Sequence, residues 1–304
     1  MEKKTLYLII FAFAAIYIIW GSTYLFIKIG LTELPPFSLA GMRFTAAGII
    51  IIFIHLLIGK KWNLTKNMIR NSVFAGFLFL TYGNGGVSWA MQYVDSSFAA
   101  LIISAQPLIL LILLWLLERK PILPKSWVGV ALGFLGIYLL VTQNELVSTS
   151  SQWIGVAVII SCLFAWGYGS IFISKAELPP SYFLNSGIQM LSGGISMLII
   201  GQIFGEDIPL LSSISPGVWS SLAFLIFFGS ILAFTSFNFL LKHVSPEKVS
   251  TSTYVNPVIA MILGWLVLDE LITFQSVAAA IILLMGVYFI NFNKYRRIGI
   301  EETP

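Results

Sequence analysis

Residues 20–36 read WGSTYLFIKIGLTELPP, and residues 166–180 read WGYGSIFISKAELPP. Both segments open on Trp-Gly, contain Phe-Ile in the middle and close on Glu-Leu-Pro-Pro. Self-similarity of this kind points to an internal duplication, and the duplicated unit decides the fold. A duplicated unit predicts further paired segments elsewhere in the chain.

The composition excludes a water-soluble globular domain. Of the 304 residues, 58% are hydrophobic and 10% are charged, and the mean hydropathy is +0.93. Soluble domains carry about 25% charged residues, so the sequence predicts an integral membrane protein. The single Cys162 excludes a disulfide framework.

Ten apolar stretches each approach the roughly 20 residues that a membrane-spanning helix needs. A β-barrel would need short segments of alternating polarity instead of these continuous runs. The first stretch has an internal copy and no small-residue cleavage site behind it, so we interpret it as a helix and not as a signal peptide. The predicted spans are residues 6–27, 37–58, 72–92, 97–117, 127–142, 154–174, 182–204, 217–240, 249–268 and 276–292.

The distribution of basic residues supports this count. With the N-terminus in the cytoplasm, 15 of the 17 basic residues fall on the cytoplasmic side, as the positive-inside rule requires. Lys28 falls outside, and Arg43 lies within a span. The net charge of +4 is thus an orientation signal and not a nucleic-acid footprint. Together with the ten spans, the distribution of basic residues predicts a multi-pass protein of the cell (inner) membrane with both termini in the cytoplasm. The cytoplasmic basic residues are Lys3, Lys4, Lys60, Lys61, Lys66, Arg70, Arg119, Lys120, Lys125, Lys175, Lys242, Lys248, Lys294, Arg296 and Arg297.

The two quoted segments begin two copies of one five-helix unit. AGMRFTAAGI at 40–49 matches SGIQMLSGGI at 186–195, and QP at 106–107 matches NP at 256–257. Because five is an odd number, the second copy must enter the membrane from the opposite side.

We therefore predict an all-α integral membrane protein whose ten transmembrane helices form an inverted 5+5 repeat. The first repeat covers residues 6–142 and the second covers residues 154–292. Inverted repeats are typical of transporters that work by alternating access, since the two halves can exchange conformations. A duplication that only builds a stable bundle is the other interpretation.

The chain resembles an EamA-type permease of the drug/metabolite transporter (DMT) superfamily. The resemblance rests on WGSTYLFIK at 20–28, on the QP and NP pairs, on the acidic turns after helices 4 and 9, and on GIY at 136–138 and GVY at 286–288. It covers almost the whole chain as two units. It implies the ten-helix inverted repeat, a central cavity between the halves, and transport of small metabolites, often outward.

Pro107 and Pro257 lie eight to ten residues into helices 4 and 9. This is roughly 12–15 Å along each helix, near the membrane midplane. A proline removes one backbone donor and frees a carbonyl one turn earlier, so we predict hinges or kinks at both sites. Gln106 and Asn256 directly precede the prolines and could offer amide groups to a substrate. Structural kinks satisfied by neighbouring helices are the alternative.

Aromatic and polar residues within the spans predict a cavity for an amphipathic solute. Aromatic rings with a polar tip supply apolar area, and polar side chains in spans face the protein interior. Simple helix packing is the alternative. The candidate cavity residues are Trp20, Tyr24, Tyr82, Asn84, Gln106, Trp166, Tyr168, Asn238 and Asn256.

Arg43 is the most costly residue in the spans, roughly 9 Å from the outer end of helix 2. Side chains on a helix lean toward its N-terminus, which here is outside. Arg43 either snorkels outward, to Glu33, or acts as a gate or as a contact for a substrate anion. The matching position in the second repeat is Gln189.

The sequence predicts a secondary transporter, an exporter of small organic metabolites such as amino acids, and not an enzyme. An intramembrane enzyme would need clustered His, Asp or Glu within spans, and no span has Asp or Glu at its middle. The same absence argues against a carboxylate-based proton antiport.

No ATP-binding motif, metal site or cofactor is predicted. The expected partners are a small-molecule substrate and the lipid bilayer, without nucleic acid, and a monomer is compatible with the sequence. A channel-like facilitator or a lipid scramblase is the alternative.

Overall fold

The computed structural model describes residues 3–58, 64–119, 124–143 and 149–298. Within these ranges the chain is helical and contains no strand. The ten helices are α1 (Lys3–Gly30), α2 (Pro36–Leu57), α3 (66–90), α4 (Ser96–Glu118), α5 (Pro124–Val141), α6 (Ser150–Lys175), α7 (Tyr182–Ile203), α8 (Pro216–His243), α9 (246–268) and α10 (Phe274–Ile298).

The helices cover the ten predicted apolar stretches, and six of those described are long and apolar enough to cross a membrane. Most begin earlier than hydrophobicity alone predicts, and at the starts of α3, α6 and α8 a polar side chain caps the helix. Helix α3 begins at Lys66 instead of residue 72, since the Thr65 side chain accepts a hydrogen bond from the Met68 amide (3.1 Å). Thr149 caps α6 in the same way, with a reciprocal bond from Gln152. The chain is therefore an all-α membrane protein.

The connecting loops lie at two opposite ends of the helical bundle. At one end the loop after α1 contacts the start of α8, through Glu33 and Ser215. At the other end the loop after α6 contacts the start of α3, through Glu177 and Thr65. We call these the Glu33 end and the Glu177 end.

Two further carboxylates bind helix starts at the Glu33 end. Glu206 accepts hydrogen bonds from the amide and the hydroxyl of Ser38 at the start of α2, both at 2.7 Å. Glu270 accepts from the amides of Ser96 (2.8 Å) and Ser97 (2.9 Å) at the start of α4. A helix N-terminus has unsatisfied N–H groups and a partial positive charge, so each carboxylate satisfies and anchors a helix from the other half of the chain.

Four helices are interrupted, and the interruptions occur in pairs. Helix α3 contains a π-helical segment at Phe77–Asn84, and α8 contains one at Leu225–Leu232. Helix α4 breaks after Ile103 and resumes at Gln106–Glu118, while α9 passes through a 3₁₀ segment at Ser250–Tyr254. Interrupted helices at membrane depth are tolerated where neighbouring protein satisfies the freed backbone groups. All four interruptions face the same interior region, which is described below.

Glycines allow the closest contacts between the two halves. Helix α2 packs on α7, where a Cβ added to Gly48 would lie 2.8 Å from the Cα of Leu191. Helix α5 packs on α10, where a Cβ added to Gly136 would lie 2.9 Å from the Cβ of Leu283. Small residues that let backbones approach in this way are typical of helix contacts in membranes.

Candidate functional site

A cavity of about 100 Å³ lies inside the bundle, between α1, α2, α3, α4, α6, α8 and α9. Helices from both halves of the chain contribute to its wall, so residues far apart in the sequence meet there. Seven of the residues singled out from the sequence line it: Trp20, Tyr24, Arg43, Asn84, Gln106, Trp166 and Asn256.

Arg43 reaches this cavity from α2 and is only 4% exposed. Its Nε donates a 2.7 Å hydrogen bond to the hydroxyl of Ser230 in the π-helical segment of α8. The guanidinium carbon lies 4.4 Å from the ring centre of Phe44, in cation–π range. Among the described residues, no carboxylate pairs with Arg43. It is therefore a buried cation held by a neutral hydroxyl and an aromatic ring.

The snorkelling of Arg43 toward Glu33 does not occur. Glu33 instead accepts a 2.8 Å hydrogen bond from the amide of Ser215. The lean of a helical side chain gives only its starting direction, and the Ser230 hydroxyl lies within reach of the guanidinium inside the protein. Snorkelling remains the general behaviour of long cations near helix ends, but here a buried acceptor replaces the outer surface.

Two glycines make room for the functional side chains, and both sit in the π-helical segments. A Cβ on Gly83 would collide with the indole nitrogen of Trp166, and one on Gly229 would lie 2.8 Å from Nη2 of Arg43. Both glycines line the cavity. π-Helical turns recur at functional sites. Neither π-helical segment was predicted from the sequence.

The amides of Asn84 and Gln106 are fixed by backbone carbonyls. Nδ2 of Asn84 donates to the carbonyl of Phe79 (3.0 Å), and Nε2 of Gln106 donates to the carbonyl of Leu163 (3.2 Å). No donor among the described residues reaches the side-chain carbonyl oxygen of either amide. Each amide thus has one N–H fixed by a backbone carbonyl, and its side-chain oxygen is an acceptor without a described partner beside one remaining N–H.

Asn256 is held by the α9 break that precedes Pro257. In the orientation that its neighbours require, its amide nitrogen donates to the carbonyls of Tyr17 (3.0 Å) and Ser252 (3.1 Å). Pro257 and its counterpart Pro107 are buried in the first turn of the resumed helices and do not line the cavity. The prolines mark where α4 and α9 restart, and the residues before them form the wall.

Aromatic side chains form one side of the cavity. Trp20 and Trp166 meet edge to face at 5.7 Å between ring centres, and both pack on Phe237, at 5.2 Å and 5.3 Å. Phe79 closes the cluster at 4.8 Å from Trp166. Aromatic pairs of this kind add to the stability that burial provides, so these rings form a packed apolar wall.

Three of the candidate residues lie away from the cavity. Tyr82 is 45% exposed and donates to the Ser161 hydroxyl (3.0 Å), while Tyr168 is 40% exposed beside Phe74. Tyr168 follows Trp166 by two positions and Tyr82 precedes Asn84 by two, which is about 200° around a helix. Each tyrosine therefore faces away from the side that lines the cavity.

Asn238, the third, belongs to a closed polar network between α7 and α8. Its Oδ1 accepts from the amide of Asn185 (3.2 Å), and its Nδ2 donates to Oε1 of Gln189 (3.3 Å). Gln189 also donates to Oδ1 of Asn185 (3.0 Å). Because these amides satisfy one another, the network stabilises the helix contact and offers no group to a ligand.

The repeated Glu-Leu-Pro-Pro segments end in equivalent contacts at opposite ends of the molecule. Glu33 binds the amide of Ser215, which caps α8, and Glu177 accepts from the hydroxyl of Thr65, which caps α3 (3.3 Å). In addition, Asn71 donates to the backbone carbonyl of Glu177 (3.0 Å). We call the two contacts the Glu33 latch and the Glu177 latch. Each ties a loop of one half to a helix of the other.

Comparison with known proteins places this architecture among membrane transporters. The EamA-like transporter family matches residues 6–142 and 153–292. The inner membrane transporter YedA of Escherichia coli (strain K12) is 34% identical over 93% of this chain and 90% of its own length. The transporter YoaV of Bacillus subtilis (strain 168) is 23% identical over 92% of this chain and 95% of its own.

One solved crystal structure has the same fold, with a TM-score of 0.67 at 16% sequence identity over 97% of this chain and 99% of that one. The matches cover both halves of the chain, including every helix that lines the cavity. The chain belongs to the EamA-like transporter family and is a membrane transporter.

Proposed function

We propose that this protein is a secondary transporter that exports small organic metabolites, such as amino acids, by alternating access. The observation that carries the proposal is the cavity between the two halves, which combines aromatic walls with a few fixed polar groups. Sites of that composition orient small organic ligands. The outward direction rests on the family resemblance.

Alternating access requires two halves that can exchange roles, and we propose an inverted repeat of residues 6–142 and 154–292. Several paired features support it. Helices α3 and α8 share a π-helical segment, and α4 and α9 share a break. Arg119 and Asp269, which end α4 and α9, are the non-glycine residues with positive φ among those described, both at 53°. The family also matches the chain twice.

The two latches fit such a cycle. The Glu33 latch holds the α1–α2 loop to α8 at one end, and the Glu177 latch holds the α6–α7 loop to α3 at the other. In an alternating mechanism one latch opens while the other stays closed, so the cavity never connects both sides at once. Since each latch consists of one or two hydrogen bonds near the surface, thermal fluctuation suffices to open it.

We further propose that the Glu33 end faces the outside and that both termini are cytoplasmic. The support is the distribution of basic residues, of which Lys66, Arg70, Lys175 and Lys242 lie at the Glu177 end. Lys60, Lys61 and Lys120 belong to the same predicted set but lie outside the described residues. Lys28, at the Glu33 end, donates to backbone carbonyls of the α3–α4 loop and is thereby held inside the protein.

We propose movement down the solute gradient without carboxylate-based proton exchange, because no Asp or Glu lines the cavity in the part of the chain that the structure describes. This is tested by following internal pH in proteoliposomes during solute flux. We expect no stoichiometric proton countercurrent, and observing one would contradict the proposal.

The transport proposal is tested by counterflow. Purified protein in liposomes preloaded with unlabelled amino acids should accumulate external labelled amino acid transiently, and initial rates should saturate. Tyr24→Ala and Gln106→Ala should lower this flux without preventing membrane insertion. Flux that rises linearly with concentration, without counterflow, would favour a channel-like facilitator, and transfer of fluorescent lipid between leaflets would favour a scramblase.

A further inference from the structure

Arg43 is the cation among the described residues that line the cavity, and the fold leaves its charge without a counter-ion. A buried guanidinium costs several kcal/mol unless it is paired and hydrogen-bonded. Here one nitrogen is satisfied by Ser230, and no carboxylate among the described residues pairs with the charge. The positive charge at the cavity wall is therefore available to an anionic group of a bound solute.

The remaining donors of Arg43 have room for a second partner. Arginine carries five N–H groups, of which the Nε–H is used by Ser230. The guanidinium carbon lies over the ring of Phe44, and no acceptor among the described residues forms a hydrogen bond with the Nη groups. Gly229 leaves the space beside Nη2 free of a side chain. Carboxylates bind such an edge through two parallel hydrogen bonds, which fixes their orientation as well as their charge.

The opposite polarity is found at Asn84 and Gln106. A backbone carbonyl holds one N–H of each amide and fixes its orientation, and no donor among the described residues reaches either side-chain oxygen, so both oxygens are acceptors in the cavity wall. An ammonium group has three donors and no acceptor. The cavity therefore offers donors from α2 and acceptors from α3 and α4, with Trp20 and Trp166 as apolar wall.

The second half has no charged residue at the position that corresponds to Arg43. Gln189, which matches Arg43 in the sequence, is fully buried in the network with Asn185 and Asn238 and does not line the cavity. The scaffold is duplicated, but the charge is not. A solute is thus bound in one orientation, with its negative end toward α2.

We infer that Arg43 is the specificity-determining residue of the transporter and binds the carboxylate of its solute, while the amide oxygens of Asn84 and Gln106 receive the ammonium group. The inference rests on the proposed transport function and deepens it. It makes a carboxylate obligatory for tight binding and makes the aromatic walls secondary. The volume of about 100 Å³ restricts the solute to a small molecule, well below the roughly 300–1,000 Å³ of sites for drug-sized ligands.

The test compares solutes that differ only in their charged groups. The probes are alanine, leucine and phenylalanine, each with its primary amide, which lacks the carboxylate, and its deaminated acid, which lacks the ammonium. Binding is measured as the shift of the thermal unfolding midpoint of the full-length protein in detergent, across a concentration series. We expect at least one amino acid to bind, its amide to bind at least tenfold more weakly, and its deaminated acid to be intermediate.

Arg43→Gln should abolish the preference for the carboxylate while the variant still folds. Arg43→Lys keeps the positive charge but lacks the planar set of N–H donors of a guanidinium, so it should restore part of this preference. The matched control is Arg70→Gln, the same substitution at an exposed arginine of α3, which should leave the preference unchanged. If Arg43→Gln does not fold, wild-type discrimination between amino acid and amide still decides the question.

Equal binding of amino acid and amide would overturn the inference, as would an unchanged preference in Arg43→Gln. Absence of binding by all three series would also overturn it. Saturable counterflow of uncharged solutes, at a rate that Arg43→Gln does not change, would overturn the role of Arg43 in binding. It would leave the proposed transport function standing. Absence of saturable flux for every solute would instead overturn the proposed function.

Discussion

The Nε of Arg43 and the hydroxyl of Ser230 form a 2.7 Å hydrogen bond that joins α2 of the first half to the π-helical segment of α8 in the second. The bond crosses the contact between the halves beside the cavity. Ser230 is fully buried and aims the guanidinium without neutralising it.

Ser230→Ala should therefore weaken solute binding more than it weakens the fold. A hydrogen bond to a charged group is worth about 1.5–3 kcal/mol, so we expect roughly a 3- to 150-fold loss of affinity if half or more of it orients Arg43. Ser221→Ala is the matched control, because the Ser221 hydroxyl bonds only within its own helix, to the Gly217 carbonyl (3.0 Å). Equal affinities for both variants in saturation kinetics would contradict the orienting role.

Gly229→Ala should have a similar effect by a steric route. The added Cβ would lie 2.8 Å from Nη2 of Arg43 and 2.9 Å from Cγ2 of Thr23, so the guanidinium must move. We expect transport to fall at least tenfold, with a small change in unfolding temperature. Gly217→Ala is the control on the same helix, since the nearest atom to its Cβ is 3.8 Å away. A helical Gly→Ala change without a clash is neutral or stabilising. Full transport by Gly229→Ala would show that Arg43 has more freedom than the structure indicates.

Cys162 offers a direct reporter of the cavity. It is the only cysteine in the sequence, it lines the cavity, and it is 1% exposed. N-ethylmaleimide should label it slowly in the resting protein, and a transported solute should slow the labelling further, in proportion to occupancy. Mass spectrometry of the labelled fraction against solute concentration measures both effects. A labelling rate that no transported solute changes would place the solute elsewhere.

The Glu33 latch should respond to acid. Hydrogen bonds from the hydroxyl and the amide of Ser215 lower the pKa of Glu33 below its ordinary value. A lowered carboxyl pKa stabilises the latched state above the ordinary pKa, and this contribution is lost as the pH falls through the lowered pKa. Because Glu33 is exposed, the effect on global stability is small.

Glu33→Gln should therefore be labelled faster at Cys162 than the wild-type protein at neutral pH, and the difference should disappear in acid below the lowered pKa of Glu33. The reagent for this comparison is 4,4′-dithiodipyridine, which reacts with thiols in acid, whereas maleimides need the thiolate. Asp207→Asn serves as the control, since it removes an exposed carboxylate from the same end of the bundle. A difference between wild type and Glu33→Gln that persists unchanged at low pH would mean that the charge of Glu33 does not hold the latch.

The helices could be predicted from the sequence because the length of an apolar stretch can be counted along the chain. The helix starts differ where caps such as Thr65 add a polar turn that hydropathy does not count. The repeated Trp-Gly pair likewise led to Trp20 and Trp166, which meet in the structure.

The side-chain environment of the cavity was harder to predict, for identifiable reasons. The position of Tyr168 in the repeated segment predicts a cavity residue. However, only a residue three or four positions from Trp166 would share the helix face of Trp166. The snorkelling alternative for Arg43 failed because its partner, Ser230, lies 187 residues away. No local pattern marks such a partner. The π-helical segment that carries it depends on packing and not on composition.

The latches have a consequence for how this chain can change over generations. Glu33 and Glu177 stand at the same place in the two repeated phrases, yet each closes on a helix of the opposite half. In the proposed cycle, neither half closes its end of the cavity with its own residues alone. A substitution in one repeated segment therefore changes a contact with the residue that caps a helix of the opposite half, Ser215 or Thr65. Selection thus acts on the pair of contacts and not on either copy by itself.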